Sequence, residues 1–222
     1  MCGRCTLTVN PAEAEEEFEG ISFPVKFAPR YNIAPTQPVL AIPNDGKNAA
    51  DFFLWGLIPS WSKDPAIGNR LINARGETLA EKPAFRGSYK YKRCLIPADG
   101  FYEWKTQPGT KTKTPHFIHL KTGKTFAFAG LWDEWLAADG SPIRSCTIVT
   151  TSPNELMSSI HNRMPVILQS KDYEEWIDAA PRSPDSLKHL IKGFPAELMQ
   201  AYPVSTLVNS PANDRAECMQ PL

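Results

Sequence analysis

Short runs of β-branched and aromatic residues, each broken by proline, glycine or polar residues, recur along the whole chain. They read PVLAI, DFFLWGL, RCLIP, GFYEWK, HFIHL, FAFAGLW, CTIVTT, MPVIL and YPVS, and their length and composition predict strands. Helix signals are fewer. NPAEAEEEFEG offers Asn10 as N-cap, Pro11 at the first helical position, Glu13 to close a capping box and Gly20 as terminator. SPNELMSSI repeats that logic with Ser152, Pro153 and Glu155, and SPDSLKHLIKG with Ser183 as cap and Gly193 as stop. KDYEEWIDAA also reads as helical. Strands outnumber helices and do not alternate with them, so the expected class is α+β: mixed, largely antiparallel, barrel-like sheets with short peripheral helices. The 21 prolines predict long connections. With no internal repeat and no low-complexity linker, residues 1–222 read as a single domain.

At 222 residues the chain is long enough for a sizeable core. It has no run of about 18 apolar residues, and no basic segment leading into an apolar one at its start, so neither a membrane span nor a signal peptide is expected. Five cysteines, an odd number spread along the chain, argue for a reducing compartment and a cytoplasmic location. Net charge is zero, which conceals an uneven distribution. Residues 60–125 hold 13 Lys and Arg against 5 Asp and Glu, and the flanks are acidic. Such a middle third can be a phosphate-binding surface or a solvated lysine-rich loop region.

Several polar residues stand where a core has no need of them. LINARGET sets Asn73 and Arg75 two apart, on one face of an extended segment. PADGFYEW embeds Glu103 between Tyr102 and Trp104, a desolvated setting suited to general acid–base work. SSIHNRMPVIL puts His161 and Arg163 at a helix-to-strand junction. RYNIAPTQP and WGLIPSW read as aromatic, proline-containing loops, surfaces on which unpaired bases stack. Taken singly, each has a structural explanation. Asn73 can bond a loop backbone, Glu103 can be the solvent-facing member of a strand, a histidine after a helix can cap it, and Trp55 and Trp61 can be core. Cys2 and Cys5 have the spacing of a redox pair or half a zinc site, but Cys94, Cys146 and Cys218 stand alone, so no metal or cofactor is expected.

The opening MCGRC is the unusual stretch. Removal of Met1 turns Cys2 into a residue carrying both an α-amine and a thiol. Read in order, MCGR, RYNIAP, WGLIPSW, INARGET, RCLIPADGFYEW and IHNRMPVIL resemble the SOS-response-associated peptidase (SRAP) family of abasic-site processing proteins, from Cys2 to about Pro203.

The resemblance implies covalent attachment to abasic sites in single-stranded DNA through a processed Cys2. An α-amine with a pKa near ~8 is a better nucleophile at neutral pH than a lysine near ~10.4. It adds to the C1′ aldehyde of the open sugar to form a Schiff base, and the neighbouring thiol closes a thiazolidine with the advantage of an intramolecular attack. By the same resemblance Asn73 positions Cys2, Glu103 is the general acid–base, and His161 helps protonate the sugar oxygen. Arg4, Arg75 and Arg163 meet flanking phosphates; Asn32, Pro35 and Trp61 lie along the DNA path, and Thr150 is a weaker candidate for a backbone contact. Two positions depart from relatives: Trp61-Ser62 replaces a pair of tryptophans, and Cys5 replaces a common aromatic residue. The expected partner is single-stranded DNA with an abasic site, bound by a monomer that becomes nucleoid-associated on DNA and has no membrane contact. The alternative is an N-terminal-nucleophile thiol peptidase acting on its own leader, although only Met1 stands before Cys2. A noncovalent single-strand binder with a structural Cys2 is a third reading.

Overall fold

The computed structural model describes residues 2–107, 109–183 and 185–222. The expected loss of Met1, and the Pro184 of the expected 183–193 helix, lie outside them. The strands are β1 (Cys5–Leu7), β2 (Arg30–Ile33), β3 (Pro38–Pro43), β4 (Asp51–Trp55), β5 (Asn73–Arg75), β6 (Arg93–Ala98) and β7 (Gly100–Thr106). They continue as β8 (Lys113–Leu120), β9 (Phe126–Leu136), β10 (Pro142–Thr151), β11 (Met164–Pro165), β12 (Ile167–Leu168) and β13 (Met199–Pro203). Every run read as a strand contributes to one of these. The RYNIAP segment, read as a loop, begins as β2 because its backbone pairs with β1.

Strands β10, β4, β3, β6 and β9 close on themselves as a five-stranded barrel, with β10 parallel to β4 and the other pairs antiparallel. Closure removes the unpaired edges of an open sheet. A second sheet runs in the order β13-β8-β7-β1-β2. The fold is α+β with mixed, largely antiparallel sheets and short peripheral helices. One continuous core spans both sheets, from Cys2, Cys5 and Phe101 to Phe53, Trp55 and Phe128. A smaller cluster of Tyr102, Phe117, Val204, Val208 and Cys218 lies on the other side of the second sheet.

Two connections place the functional segments. The chain passes from barrel to second sheet at Asp99. Its carboxylate accepts the Thr6 and Thr8 hydroxyls and the Thr8 amide (2.6 Å), fixing β1 against β7. Between β4 and β5, Gly56 at φ +134° lies against Gly68, where an added Cβ would meet the Gly68 carbonyl at 2.7 Å. That close approach folds the Trp61 loop back, so that β5 pairs in parallel with β10 beyond the end of β4.

Helix α1 (Pro11–Glu17) has the expected capping box: the Glu13 amide donates to Asn10 Oδ1 (3.1 Å) and the Asn10 amide to Glu13 Oε2 (2.8 Å). A second helix, α2, spans Arg86–Tyr91. In α3 (Glu155–Ser158) the cap is Asn154 and not Ser152. Asn154 accepts the Met157 amide (2.9 Å) and donates to the Phe194 carbonyl (2.7 Å), serving helix and core at once. The KDYEEWIDAA segment forms α4 (Tyr173–Ile177). The expected 183–193 helix is a single 3-10 turn over Lys188–Leu190. Leu187 and Leu190 are the residues it buries, a three-residue spacing that matches the 3-10 period.

Arg93 ties these pieces together. Fully buried, it donates to the carbonyls of Tyr89 (3.1 Å) and Lys90 (2.7 Å) at the end of α2, of Trp176 (2.8 Å) in α4, and of Asp178 and Ala180 beyond it. Removing the guanidinium leaves buried carbonyls without donors. We expect Arg93→Met to lose about 3–5 kcal/mol of stability in urea unfolding, and Arg93→Lys to recover little, because one ammonium cannot reach five carbonyls. A loss within ~0.5 kcal/mol would show that the carbonyls find other donors.

Candidate active site

The site is built where the start of β1 meets β7 and β5. Antiparallel pairing of Cys5 with Phe101 is continued by the Tyr102 amide, which donates to the Arg4 carbonyl (3.0 Å). The chain before β1 therefore runs beside Tyr102 and Glu103. Cys2 is fully buried, and its thiol lies 3.8 Å from the same Arg4 carbonyl. From the barrel side, Asn73 Nδ2 donates to the Cys2 carbonyl at 2.8 Å. Glu103, on β7, is 2% exposed. Burial pushes the Cys2 thiol well above its ordinary value, and the Cys5 thiol and Glu103 carboxylate push it further. Cys2 is thus a neutral thiol at neutral pH.

His161 follows α3, its amide bonded to the Met157 carbonyl (2.8 Å). The Arg163 amide donates to His161 Nδ1 at 3.1 Å. An amide N–H can only donate, so Nδ1 carries the lone pair and the neutral ring holds its proton at Nε2. The longer approach of Nδ1 to the Arg163 carbonyl, 3.3 Å, requires the opposite tautomer and is the weaker contact. The Arg163 guanidinium makes a two-pronged pair with Glu77 (2.6 and 2.9 Å) and donates to the Thr150 carbonyl (2.7 Å). Thr150 is fully buried, its hydroxyl donating to the Ala74 carbonyl (3.3 Å) and accepting from Arg163 (3.2 Å). Because β5 lies beside β10, these bonds connect His161 through Arg163 and Thr150 to the strand that holds Cys2.

The other anticipated residues divide by exposure. Arg75 is exposed and its guanidinium makes no hydrogen bond or ion pair among the described residues, Trp61 is 60% exposed, and Pro35 is half-buried. Asn32 is fully buried: its Nδ2 serves the carbonyls of Val208 (3.2 Å), Ser210 (3.0 Å) and Asn213 (2.8 Å), and its Oδ1 accepts from Arg4 (2.9 Å). Arg4 also donates to the carbonyls of Val208 and Asn209 and lies over the Trp104 ring at 5.9 Å. The Arg4 and Asn32 polar groups thus point into the fold. Cys5 is buried within the core.

Thr114 and His116 of this region escape a linear reading. The β7–β8 register pairs Glu103 with His116 and Lys105 with Thr114, so all four share one face of the sheet. The alternation of GFYEWK places 103 and 105 together, but only the hairpin register adds 114 and 116. Among the described residues no group of three His, Cys, Asp or Glu could hold a metal ion, and no helix is long and apolar enough to cross a membrane.

The SOS response associated peptidase (SRAP) family model matches residues 1–211. The chain belongs to that family. It is 50% identical over 222 residues to Abasic site processing protein YoaM of Bacillus subtilis, covering 99% of this chain and 97% of the relative. It is 48% identical to YoqW of the same organism, over 99% of each, and 34% identical to HMCES of Gallus gallus, over 89% of this chain and 67% of that one. Both relatives carry the same description as YoaM, abasic site processing protein. A solved structure from Bacteroides thetaiotaomicron superposes with a TM-score of 0.89 at 26% identity over the whole of both chains.

The thiols make a further property calculable. Burial raises Cys2, Cys5, Cys94 and Cys146 above their ordinary range. In the unfolded chain they ionise near pH ~8.5; in the fold they stay protonated. Above that pH the folded state binds more protons, so stability falls as pH rises, by up to about 1.4 kcal/mol per pH unit for each thiol. Urea midpoints are expected to be level from pH 7 to 8 and to drop from 9 to 10. Level midpoints through pH 10 would contradict the burial of these thiols.

Proposed function

We propose that this protein recognises abasic sites in single-stranded DNA and forms a thiazolidine crosslink to them through Cys2. The observation that carries the reading is the placement of Cys2. Its carbonyl is held by Asn73 at 2.8 Å, and its thiol is close enough to Glu103 to feel that charge, in a chain whose relatives are named abasic site processing proteins.

With Met1 removed, the α-amine adds to the C1′ aldehyde, and loss of one water gives an imine. The Cys2 sulfur then adds to the imine carbon. The new C–S bond closes the five-membered ring, and the thiol proton ends on the ring nitrogen. Overall, aldehyde and aminothiol give thiazolidine and water, with no oxidant or metal. Because the thiol is neutral, the amine leads and the sulfur follows. Glu103 carries protons between the steps: it protonates the departing hydroxyl and accepts the thiol proton as sulfur attacks. His161, with its proton at Nε2, donates to the sugar oxygen and favours the open aldehyde.

Asn73 fixes the main chain of Cys2. Arg75 meets a flanking phosphate, and Arg163 reaches another by exchanging its Glu77 partner, with Thr150 holding it in place. Arg4 and Asn32 act from within by fixing the first strand, while Pro35 and Trp61 contact the bases of the bound strand. The peptidase alternative requires a reactive thiolate, which burial of Cys2 disfavours.

Intact mass spectrometry of protein mixed with abasic single-stranded DNA tests this. The expected product has the mass of protein without Met1 plus the oligonucleotide less one water, and it survives denaturation. Cys2→Ala should give no such product, and Glu103→Gln should slow its formation on the order of 10²-fold. An equally stable adduct at the same site from Cys2→Ala overturns the reading.

A further inference from the structure

From Trp104 to Trp132 the chain holds five lysines and no Asp or Glu. One of them, Lys105, stands apart in its surroundings. It is half-buried, and its ammonium makes no hydrogen bond or ion pair among the described residues. Its stem packs against the sheet while its head is left for solvent or a ligand. Two residues from Glu103 on the same strand, it projects from the same face about 7 Å further along. Its cross-strand neighbour on that face is Thr114. Gln107 continues the row: its amide donates to the Thr112 carbonyl (3.0 Å), and its Nε2 donates to Thr114 Oγ1 (2.8 Å). His116, opposite Glu103, lies with Nδ1 3.1 Å from the Thr114 carbonyl. A carbonyl only accepts, so Nδ1 carries the proton and Nε2 keeps its lone pair. Outward from Glu103 this face therefore offers polar groups and an unpaired ammonium, with no second carboxylate from its own strands.

We propose that this face, with Lys105 at its centre, binds the phosphodiester backbone of the strand on one side of the reacting nucleotide. The proposal rests on the reading of the site given above and adds a subsite to it. The occupant is an anion because Lys105 lacks a counter-charge. It is a chain and not a lone ion because the row is continuous with Glu103 and runs outward along the hairpin. Arg75 supplies the counterpart on the barrel, two residues beyond Asn73 on β5. Asn73 and Glu103 thus each have a cation two positions further along their strand. The two flanks of the lesion divide between them, Arg75 holding one and Lys105 the other.

Anisotropy titrations test this with single-stranded oligonucleotides carrying a tetrahydrofuran analogue of the abasic sugar, which binds but has no aldehyde. One oligonucleotide extends only 5′ of the analogue and the other only 3′. Lys105→Gln should weaken binding roughly three- to tenfold at low salt for one of the two, and reduce the log–log salt slope by about 0.7 there. Arg75→Gln should weaken the other. Lys105→Arg should retain the slope. Lys113→Gln, on the opposite face of the same hairpin, should match wild type, and so controls for overall charge. Equal behaviour of Lys105→Gln and wild type on both oligonucleotides overturns the subsite, as does an equal loss with Lys113→Gln. If wild type crosslinks natural abasic DNA while Lys105→Gln shows no change, only the subsite falls. If wild type neither binds nor crosslinks, the underlying reading falls with it.

Discussion

The site depends on how the first strand is held, and one carboxylate does most of the holding. Asp99 stands at the corner where β6 leaves the barrel and β7 enters the second sheet, and it accepts hydrogen bonds from Thr6 and Thr8. A three-residue strand has too few ladder bonds to fix itself. Anchored at that corner, β1 takes a register in which Arg4 meets Tyr102, and the chain before it reaches Glu103. Asp214 does the same for the neighbouring strand, accepting the amides of Tyr31 (2.5 Å) and Asn32 (2.9 Å) and pairing with Arg30. Asn32 in turn accepts Arg4 (2.9 Å). Two buried or partly buried carboxylates thus set the position of the segment that carries Cys2.

A cysteine so placed has a consequence for its chemistry. Deep burial gives Cys2 a precise position and at the same time suppresses its thiolate. A site that relied on sulfur as first nucleophile would be poorly served by such an environment, because thiolate and not thiol attacks. A site that relies on an amine loses nothing by a neutral thiol, provided that a base is at hand when the sulfur acts. Under the proposed chemistry Glu103 is that base, on a strand whose backbone is fixed by pairing on both sides.

Local pattern accounted for more of this molecule than for its long-range joints. The strand runs were legible because β-branched and aromatic residues between proline and glycine have few other folds open to them, and the Asn10–Glu13 cap was legible because its partners are three residues apart. Asn154 displaced Ser152 as a cap through a bond to Phe194, forty residues away. Strand β2 hid in what read as a loop, since only its pairing with β1 and its bonds to Asp214 make it extended. The same division runs through the site. Cys2, Asn73, Glu103 and His161 stood out as residue types in unusual settings, and Cys2 and Asn73 are in direct contact. The inward roles of Arg4 and Asn32, bound to carbonyls near the other end of the chain, had no local signal. Neither did the pairing of Glu103 with His116, which is set by a hairpin register.

The division of labour between the two sheets follows from that topology. A barrel closed through β10 is rigid and has no free edge, so it suits the groups that must not move: Asn73 against Cys2, and the Glu77–Arg163–Thr150 array behind His161. The second sheet is open, and its β7–β8 hairpin extends beyond Glu103 into solvent with lysines and no acids. Fixed donors belong where bonds are made and broken, because small displacements there are costly. On the proposed reading, a cationic arm suits a polyanion of variable sequence, because phosphate contacts position a strand without reading it. Placing Cys2 at the seam between the sheets lets one short segment answer to both.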